Sequence, residues 1–447
     1  MKTKLLHLNP RHWFNDEAVK RIYRNASVLL SGKAVAGLLS LVYVSLAAHA
    51  LGAANFGVLV LVNVYTLSMA AILTVQGRNA LVRYAALCLA ENSREDLSKL
   101  LSFILLVELG FGSLAIVVTA ILAPYAAGKF SWPAEALPVI VWYSLACVSM
   151  MHSMPAGVLY VFRRIKLLSV QQAMGPLVRL LGALIAYALD AGLVGFLWAW
   201  LVGTLAEAGT QWFFGLRELS RQGLLAGLLK WPEEVTRQHQ GIWRFILANK
   251  MDISLDVLGS RAPALAVGWV LGPAATGLYQ VALRIGMILA QPVLLIGQPL
   301  YPELSQLVAE KKFGQVSRVV LRTALIATMI GLAVLLILGL FGGNILALIG
   351  GADFAAAYWV LILIAVARTI HLFGFPLASA IVACGKPATV LKVNLFSTLL
   401  LLPVLLTLLY AFELPGVGVH AVLFAVVTVT WMAVVYRRHI ASQQLPE

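Results

Sequence analysis

The sequence predicts an all-α polytopic membrane protein of about twelve spanning helices arranged as two related six-helix lobes. Three observations predict it: the composition, the way charge is distributed between apolar runs, and a recurring glycine-rich hairpin. Of the 447 residues, 61% are hydrophobic and 12% charged, and the mean hydropathy of +0.90 lies far above what a soluble domain tolerates. A spanning helix needs about 20 apolar residues, so this length holds roughly a dozen and excludes a large soluble domain.

The elements follow in order. Residues 1–26 carry Lys2, Lys4, Arg11, Lys20, Arg21 and Arg24 among Leu5, Leu6, Trp13 and Phe14, without the apolar run and small-residue cleavage site of a signal peptide. They read as an uncleaved, amphipathic cytoplasmic segment lying on the membrane surface. Six apolar runs make the first lobe, 27–215: Ser27 to Ala50, Gly57 to Gly77, Ser98 to Ala123, Ala136 to Val161, Leu167 to Leu189 and Leu193 to Gly215. A polar cytoplasmic linker, 216–242, precedes the second lobe, 243–436. Its runs are Trp243 to Val270, Gly277 to Leu300, Val319 to Phe341, Ala355 to Val382, Val390 to Phe412 and Val417 to Tyr436. Residues 437–447 form a cytoplasmic tail.

The formal net charge of +14 is not that of a nucleic-acid binder, because the basic residues sit in short clusters between apolar runs, and no nucleic-acid partner is expected. With twelve spans, the N-terminus, the even-numbered loops including Arg163, Arg164 and Lys166, and the pair Arg437 and Arg438 all fall on one face, and only Lys129 on the other. That asymmetry predicts both termini in the cytoplasm. Cys88, Cys147 and Cys384 are scattered without CxxC spacing, so neither a disulfide framework nor a metal site is expected. No cofactor is implied either: Walker, Gly-x-Ser-x-Gly and metal-binding motifs are absent from the sequence.

The lobes read as copies. Leu51-Gly52-Ala53-Ala54-Asn55-Phe56-Gly57 closes the first span and Leu271-Gly272-Pro273-Ala274-Ala275-Thr276-Gly277 the seventh, an offset of 220 that also maps Gly77 onto Gly297. Six helices per copy give both copies the same orientation, related by an axis along the membrane normal, with a cleft between two bundles. Chance recurrence of a short glycine turn is the competing explanation.

Six cations lie inside these runs: Lys33, Arg179, Lys250, Arg261, Arg284 and Arg368. Each would cost about 2.5–3.5 kcal/mol at the centre of a lipid-facing helix, so they are expected to face protein or a wet cavity. Arg179 and Arg368, one per half, both lie near the midplane, Arg179 about 18 Å deep at the rise of an α-helix. Gly175-Pro176 and Gly374 to Pro376 flank them, which predicts locally broken helices that free backbone groups for a ligand. The acids within reach in sequence are Glu108, Glu207, Asp252 and Asp256, leaving a surplus of two positive charges that a diphosphate would match. Neutralisation of each arginine by a neighbouring acid is the alternative.

Asp252 and Asp256, one turn apart in the most polar span, are read either as carriers of a coupling proton or sodium ion, with Glu108 as a third candidate, or as a salt-bridge ladder with Lys250. His371 is either a proton relay or a core histidine. Lys33 either grips a headgroup or snorkels to the surface.

The run LGAANFG, the Gly277-Leu278-Tyr279 opening of the eighth span and Tyr301-Pro302-Glu303-Leu304-Ser305 resemble the Wzx-type polysaccharide transporters, or oligosaccharide flippases, over nearly the whole chain. That family sits in a superfamily with multidrug exporters and peptidoglycan-precursor flippases. The resemblance implies a MATE-like fold of two lobes, a cationic central cavity, and export of a polyprenyl-diphosphate-linked oligosaccharide across the bacterial inner membrane for O-antigen, capsule or exopolysaccharide. Partners implied are the lipid-linked oligosaccharide, membrane lipids and other glycan-assembly proteins. A multidrug exporter of the same fold is the first rival, disfavoured by the cation surplus. A glycan polymerase or ligase is the second, disfavoured because the longest external loop, Pro124 to Glu135, carries no catalytic constellation.

Overall fold

The computed structural model describes residues 17–225, 228, 235, 241–296 and 300–444, with side chains at 17–30, 252, 255, 256, 258, 288–296 and 439–444 outside the description. Most of the surface segment expected at 1–26, about half of the 216–242 linker, and Gly297 lie outside the described residues. Those described form thirteen α-helices with short 3₁₀ segments and no strand.

Among the described residues, ten helical segments are long and apolar enough to cross a membrane, and because two of the helices are double they take in most of each of the twelve expected runs. Helix α1 (Glu17–Leu73) carries the first two runs and is interrupted at Gly52, whose φ of 66° and ψ of 176° no helix contains. After α2 (Arg78–Ala90), α3 (Arg94–Lys129), α4 (Leu137–Tyr143), α5 (Ser153–Val161), α6 (Ile165–Ala188) and α7 (Gly192–Arg221) comes α8 (Ile242–Ile296), interrupted at Gly272 with φ 84° and ψ −178°. The positions are 220 apart and the two backbones take nearly the same conformation, one that glycine reaches without steric cost. Then follow α9 (Leu300–Ala309), α10 (Phe313–Gly350), α11 (Tyr358–Ala383), α12 (Pro387–Phe412) and α13 (Leu414–Gln444).

Two compact units emerge. Unit 1 holds the described residues up to Val44, Thr66–Pro124 and Glu135–Ser254. Its core joins α2, α3 and α5 to the end of α7 and the start of α8 through Leu81, Leu100, Ile104, Met154, Leu219 and Ile246. Unit 2 holds Ser45–Tyr65, Tyr125–Ala134 and the chain from Leu255 on; Leu304, Val316, Leu377, Ala380, Val393 and Met432 pack its core. The hairpin at Gly52 thus belongs to the unit built from the second half of the chain. The reason is a contact with its own repeat: Gly57 packs on the Pro273 backbone and Gly277 on that of Ala53.

Two expectations about helix breaks need correction. Helix α6 runs on through Pro176 and α11 through Pro376. A proline removes one N–H, and a tightly packed neighbour holds the remaining helix in shape. For α6 that neighbour is α7, whose Gly203 has its Cα against Arg179 while Gly175 lies against Glu207. The break occurs instead in the fourth span, expected to be continuous: α4 gives way to a 3₁₀ segment, Ser144–Met150, and helix resumes only at Ser153. Pro155 contributes at the end of the break, since it offers no N–H to the Met151 carbonyl four residues earlier. The Trp212 indole N–H of α7 donates to that carbonyl instead, at 2.8 Å.

The three cysteines are free thiols. Burial and the nearby Asp96 carboxylate push the Cys88 thiol on α2 up, which leaves it protonated and inert.

Candidate functional site: a polar cavity in unit 1

The break in the fourth span opens onto a cavity of about 410 Å³ within unit 1. Ser149, Met150 and His152 from the broken stretch and Tyr160 from α5 form one wall. Helix α6 supplies Gln171, Gln172 and Arg179, and α7 supplies Thr204, Glu207 and Gln211. Arg78, the first residue of α2, closes one side, its guanidinium 5.8 Å from the Tyr160 ring centroid.

Arg179 is fixed from two sides. Its Nη2 donates to Thr204 Oγ1 at 2.8 Å and its Nη1 to Tyr43 Oη at 3.3 Å, with the Tyr43 ring 6.0 Å away. Thr204 in turn donates to the Trp200 carbonyl at 2.8 Å, so its hydroxyl is oriented to accept from the arginine. Arg179 Nε, Gln172 Oε1 and Ser149 Oγ, on three residues that line the cavity, are shut off from solvent and have no hydrogen-bond partner. Glu207 lies within electrostatic reach of Arg179, yet the two form no ion pair among the described residues. The cavity therefore presents two guanidinium groups and one carboxylate. Buried polar atoms are nearly always satisfied in native proteins.

Of the other expected site residues, Glu108 is almost fully buried on α3 and is occupied structurally. Its Oε1 accepts from the Ser153 N–H and its Oε2 from the Met154 N–H, the latter at 3.0 Å, so the carboxylate caps the helix that resumes after the break. Ser153 Oγ accepts from the Gly77 N–H at 3.2 Å, tying the start of α2 to the same point. Lys250 donates from Nζ to the Leu73 carbonyl at 3.5 Å, at the C-terminal end of α1, and lies 5.7 Å from the Phe111 ring centroid. Asp252 and Asp256 stand on the backbone of α8, and their side chains lie outside the described residues. Lys33 is exposed on α1, apart from the cavity.

Arg261, Arg284 and Arg368 belong to unit 2 and are half-buried. Arg284 and Arg368 form no ion pair among the described residues. Arg368 lies in electrostatic reach of the buried Tyr279, and His371, one turn on, sets its ring 5.9 Å from that of Phe424. Sequence reasoning found Arg179 and Glu207 by depth and charge. It passed over Arg78 and His152, and it considered Gln171 and Gln172 as readers of substrate hydroxyls but set them aside because such residues are equally at home in helix packing.

A family model described as polysaccharide biosynthesis protein matches residues 22–308, and a second, described as MatE, matches 255–407. The inner membrane protein YghQ of Escherichia coli is 30% identical over 350 residues, covering 78% of this chain and 98% of that protein. Among solved structures, the inward-facing conformation of a multidrug resistance MATE family transporter of the MOP superfamily aligns with a TM-score of 0.73 at 18% identity, over 94% of this chain and 99% of that one. A MOP superfamily transporter from Pyrococcus furiosus, described as having a binding pocket of reverse polarity that suggests a different function, aligns with a TM-score of 0.61 at 19% identity, over 96% and 97%.

Proposed function

We propose a function from the premise that this chain belongs to the polysaccharide biosynthesis protein family and has the multi-pass fold of MOP superfamily transporters: it flips a polyprenyl-diphosphate-linked oligosaccharide across the bacterial inner membrane by alternating access. Both termini would be cytoplasmic. The lipid-linked sugar, surrounding membrane lipids and other glycan-assembly proteins would be its partners.

The observation that carries this reading is Arg179, anchored by Thr204 and Tyr43 and lining a cavity that also holds Arg78 and a single carboxylate. A guanidinium lining a polar cavity suits a phosphate oxygen, because its planar, delocalised charge pairs with phosphate geometry. Arg284 and Arg368, also without ion pairs among the described residues, extend the same preference to unit 2. The diphosphate is held by cations, the sugars cross in a polar interior, and the polyprenyl tail remains in lipid. Membership of a superfamily in which one relative has a pocket of reversed polarity accords with the fold serving cargo of either sign.

Export of organic cations is the second reading, favoured by one observation: Glu207 in the cavity. The two separate in proteoliposomes. Movement of a fluorescent polyprenyl-diphosphate oligosaccharide to a protected face is expected, and loss of that movement in Arg179→Ala with retained folding supports the flippase. Efflux of an organic-cation dye without lipid-linked sugar movement sinks it.

A further inference from the structure

Helix α10 of unit 2 is the most apolar of the membrane-capable segments and among the least buried. Val316, Val320, Ala324 and Ala327 make its buried side, and the opposite side exposes Leu321, Leu325, Met329 and Leu336. Such a row of apolar side chains on a spanning helix lies against lipid rather than in a wet cleft. Arg318 and Arg322 are exposed on that same side, at the start of the apolar stretch. They are one turn apart, about 6 Å along the axis, and neither forms an ion pair among the described residues. Lys312, just before the helix, is by contrast taken up by Glu310 at 2.7 Å.

Like charges at that spacing repel, and an anion held between them reverses the sign. The positive-inside tendency asks only that cations gather on one side of the membrane; it does not set two arginines in file on a lipid-facing surface. Neighbouring helices bring more. The Tyr436 hydroxyl of α13 donates to Ser317 Oγ at 3.4 Å, so Arg437 and Arg318, each the next residue in its chain segment, stand on adjoining helix ends. Cys384 lies in electrostatic reach of Tyr436, and Lys386 in reach of Cys384, which brings the start of α12 to the same place. None of α10, α12 and α13 contains an acidic residue.

We propose that this end of unit 2 binds the headgroup of an anionic phospholipid, its phosphate held by Arg318 and Arg322 with Arg437 beside them, and its acyl chains along Leu325 and Met329. The guanidinium fork suits a phosphate oxygen, and basic sites between the ends of spanning helices bind such headgroups. The site owes nothing to the identity of the cargo.

Native mass spectrometry of the full-length protein in detergent tests this, with phosphatidylglycerol and phosphatidylcholine of the same acyl chains as probes. A basic group beside an anionic headgroup changes affinity roughly five-fold, so the parent should bind phosphatidylglycerol about ten- to thirty-fold tighter. The double variant Arg318→Gln with Arg322→Gln should lose most of that preference, and each single variant about five-fold of it. Lys166→Gln with Arg217→Gln removes the same charge from exposed positions of unit 1 and should keep it. Equal melting temperatures of the lipid-free parent and both double variants are expected, since all four positions are exposed, and phosphatidylglycerol should raise that of the Arg318/Arg322 variant least. An unchanged preference in the Arg318/Arg322 variant overturns the inference, and so does an equal loss in the two double variants, which would make the attraction one of diffuse charge. Displacement of the lipid by excess glycerol phosphate would assign the site to a soluble phosphate instead, and displacement by equimolar farnesyl diphosphate would assign it to the diphosphate lipid. Transport enters none of these readouts, so the flippase reading stands or falls apart from them.

Discussion

Gly57 and Gly277, 220 residues apart, meet backbone to backbone: a Cβ on Gly57 would overlap the Pro273 carbonyl oxygen, and one on Gly277 that of Ala53. Ala53 and Pro273 are also 220 apart, so the two contacts are images of each other and the internal repeat is a physical two-fold within unit 2. Neither clash can be relieved by a rotamer change, because the opposing atoms are main chain. Gly57→Ala and Gly277→Ala should each cost at least the roughly 1–3 kcal/mol of an overpacked core, and by similar amounts. Gly110→Ala, on α3 with no atom near its added methyl, should gain about 0.5–1 kcal/mol. Thermal unfolding in detergent reads all three, and melting of the first two at the parent temperature would remove the contact from any account of stability.

Arg179→Lys should not rescue transport. An ammonium has its donors on one nitrogen at the end of a flexible stem, and it does not reproduce the two separate nitrogens with which Arg179 reaches Thr204 and Tyr43. A hydrogen bond to a charged group contributes about 1.5–3 kcal/mol, so diphosphate binding should weaken roughly ten- to hundred-fold. Titration of farnesyl diphosphate against parent and variant checks this, and equal affinities would reduce Arg179 to a source of charge.

Glu207→Gln separates the two transport readings by sign. The carboxylate repels an anionic ligand held by Arg179 and attracts a cation. At an effective dielectric of about 20, a unit charge about 6–15 Å away is worth about 1–3 kcal/mol. The variant should bind diphosphate about ten-fold tighter if the cargo is anionic. Loss of organic-cation efflux with no change in diphosphate affinity would favour the exporter.

How much of this was legible in the sequence depends on the physical signal. Apolar runs and the 220-residue offset were legible because hydropathy and glycine placement are local; Gly52 and Gly272 are the same unusual φ written twice. Arg179 was legible because a charge at mid-span needs an explanation. The break before Ser153 was not, since Pro155 reads like Pro176 and Pro376 in sequence, and only the neighbours decide which helix yields. Trp212 stands where it can replace the lost donor. Glu108 shared its charge signal with the coupling candidates, and its partners, two backbone N–H groups some 45 residues away, leave no mark in composition.

Glu108→Gln tests that assignment. The neutral amide oxygen can accept one of the two N–H groups but leaves the other opposite an NH₂, so a loss of about 1–3 kcal/mol is expected. Dependence of transport on an imposed proton or sodium gradient should persist. Gradient-independent transport in a stably folded variant would return Glu108 to the coupling role expected from sequence.

Trp212, Met151 and Pro155 make the last prediction, a coupling. Trp212→Phe strips the Met151 carbonyl, which is buried, of its donor and should cost about 1–3 kcal/mol. Pro155→Ala restores an N–H four residues after Met151, the position from which a helix would satisfy that carbonyl. The cost of Trp212→Phe should therefore be smaller in the Pro155→Ala background, with an interaction energy of about 0.5–2 kcal/mol in a double-mutant cycle. Strict additivity would show that the indole does not stand in for the missing amide. Because the same break lines the cavity through Ser149 and His152, diphosphate binding by the double variant also reports whether a continuous fourth span still leaves room for the ligand.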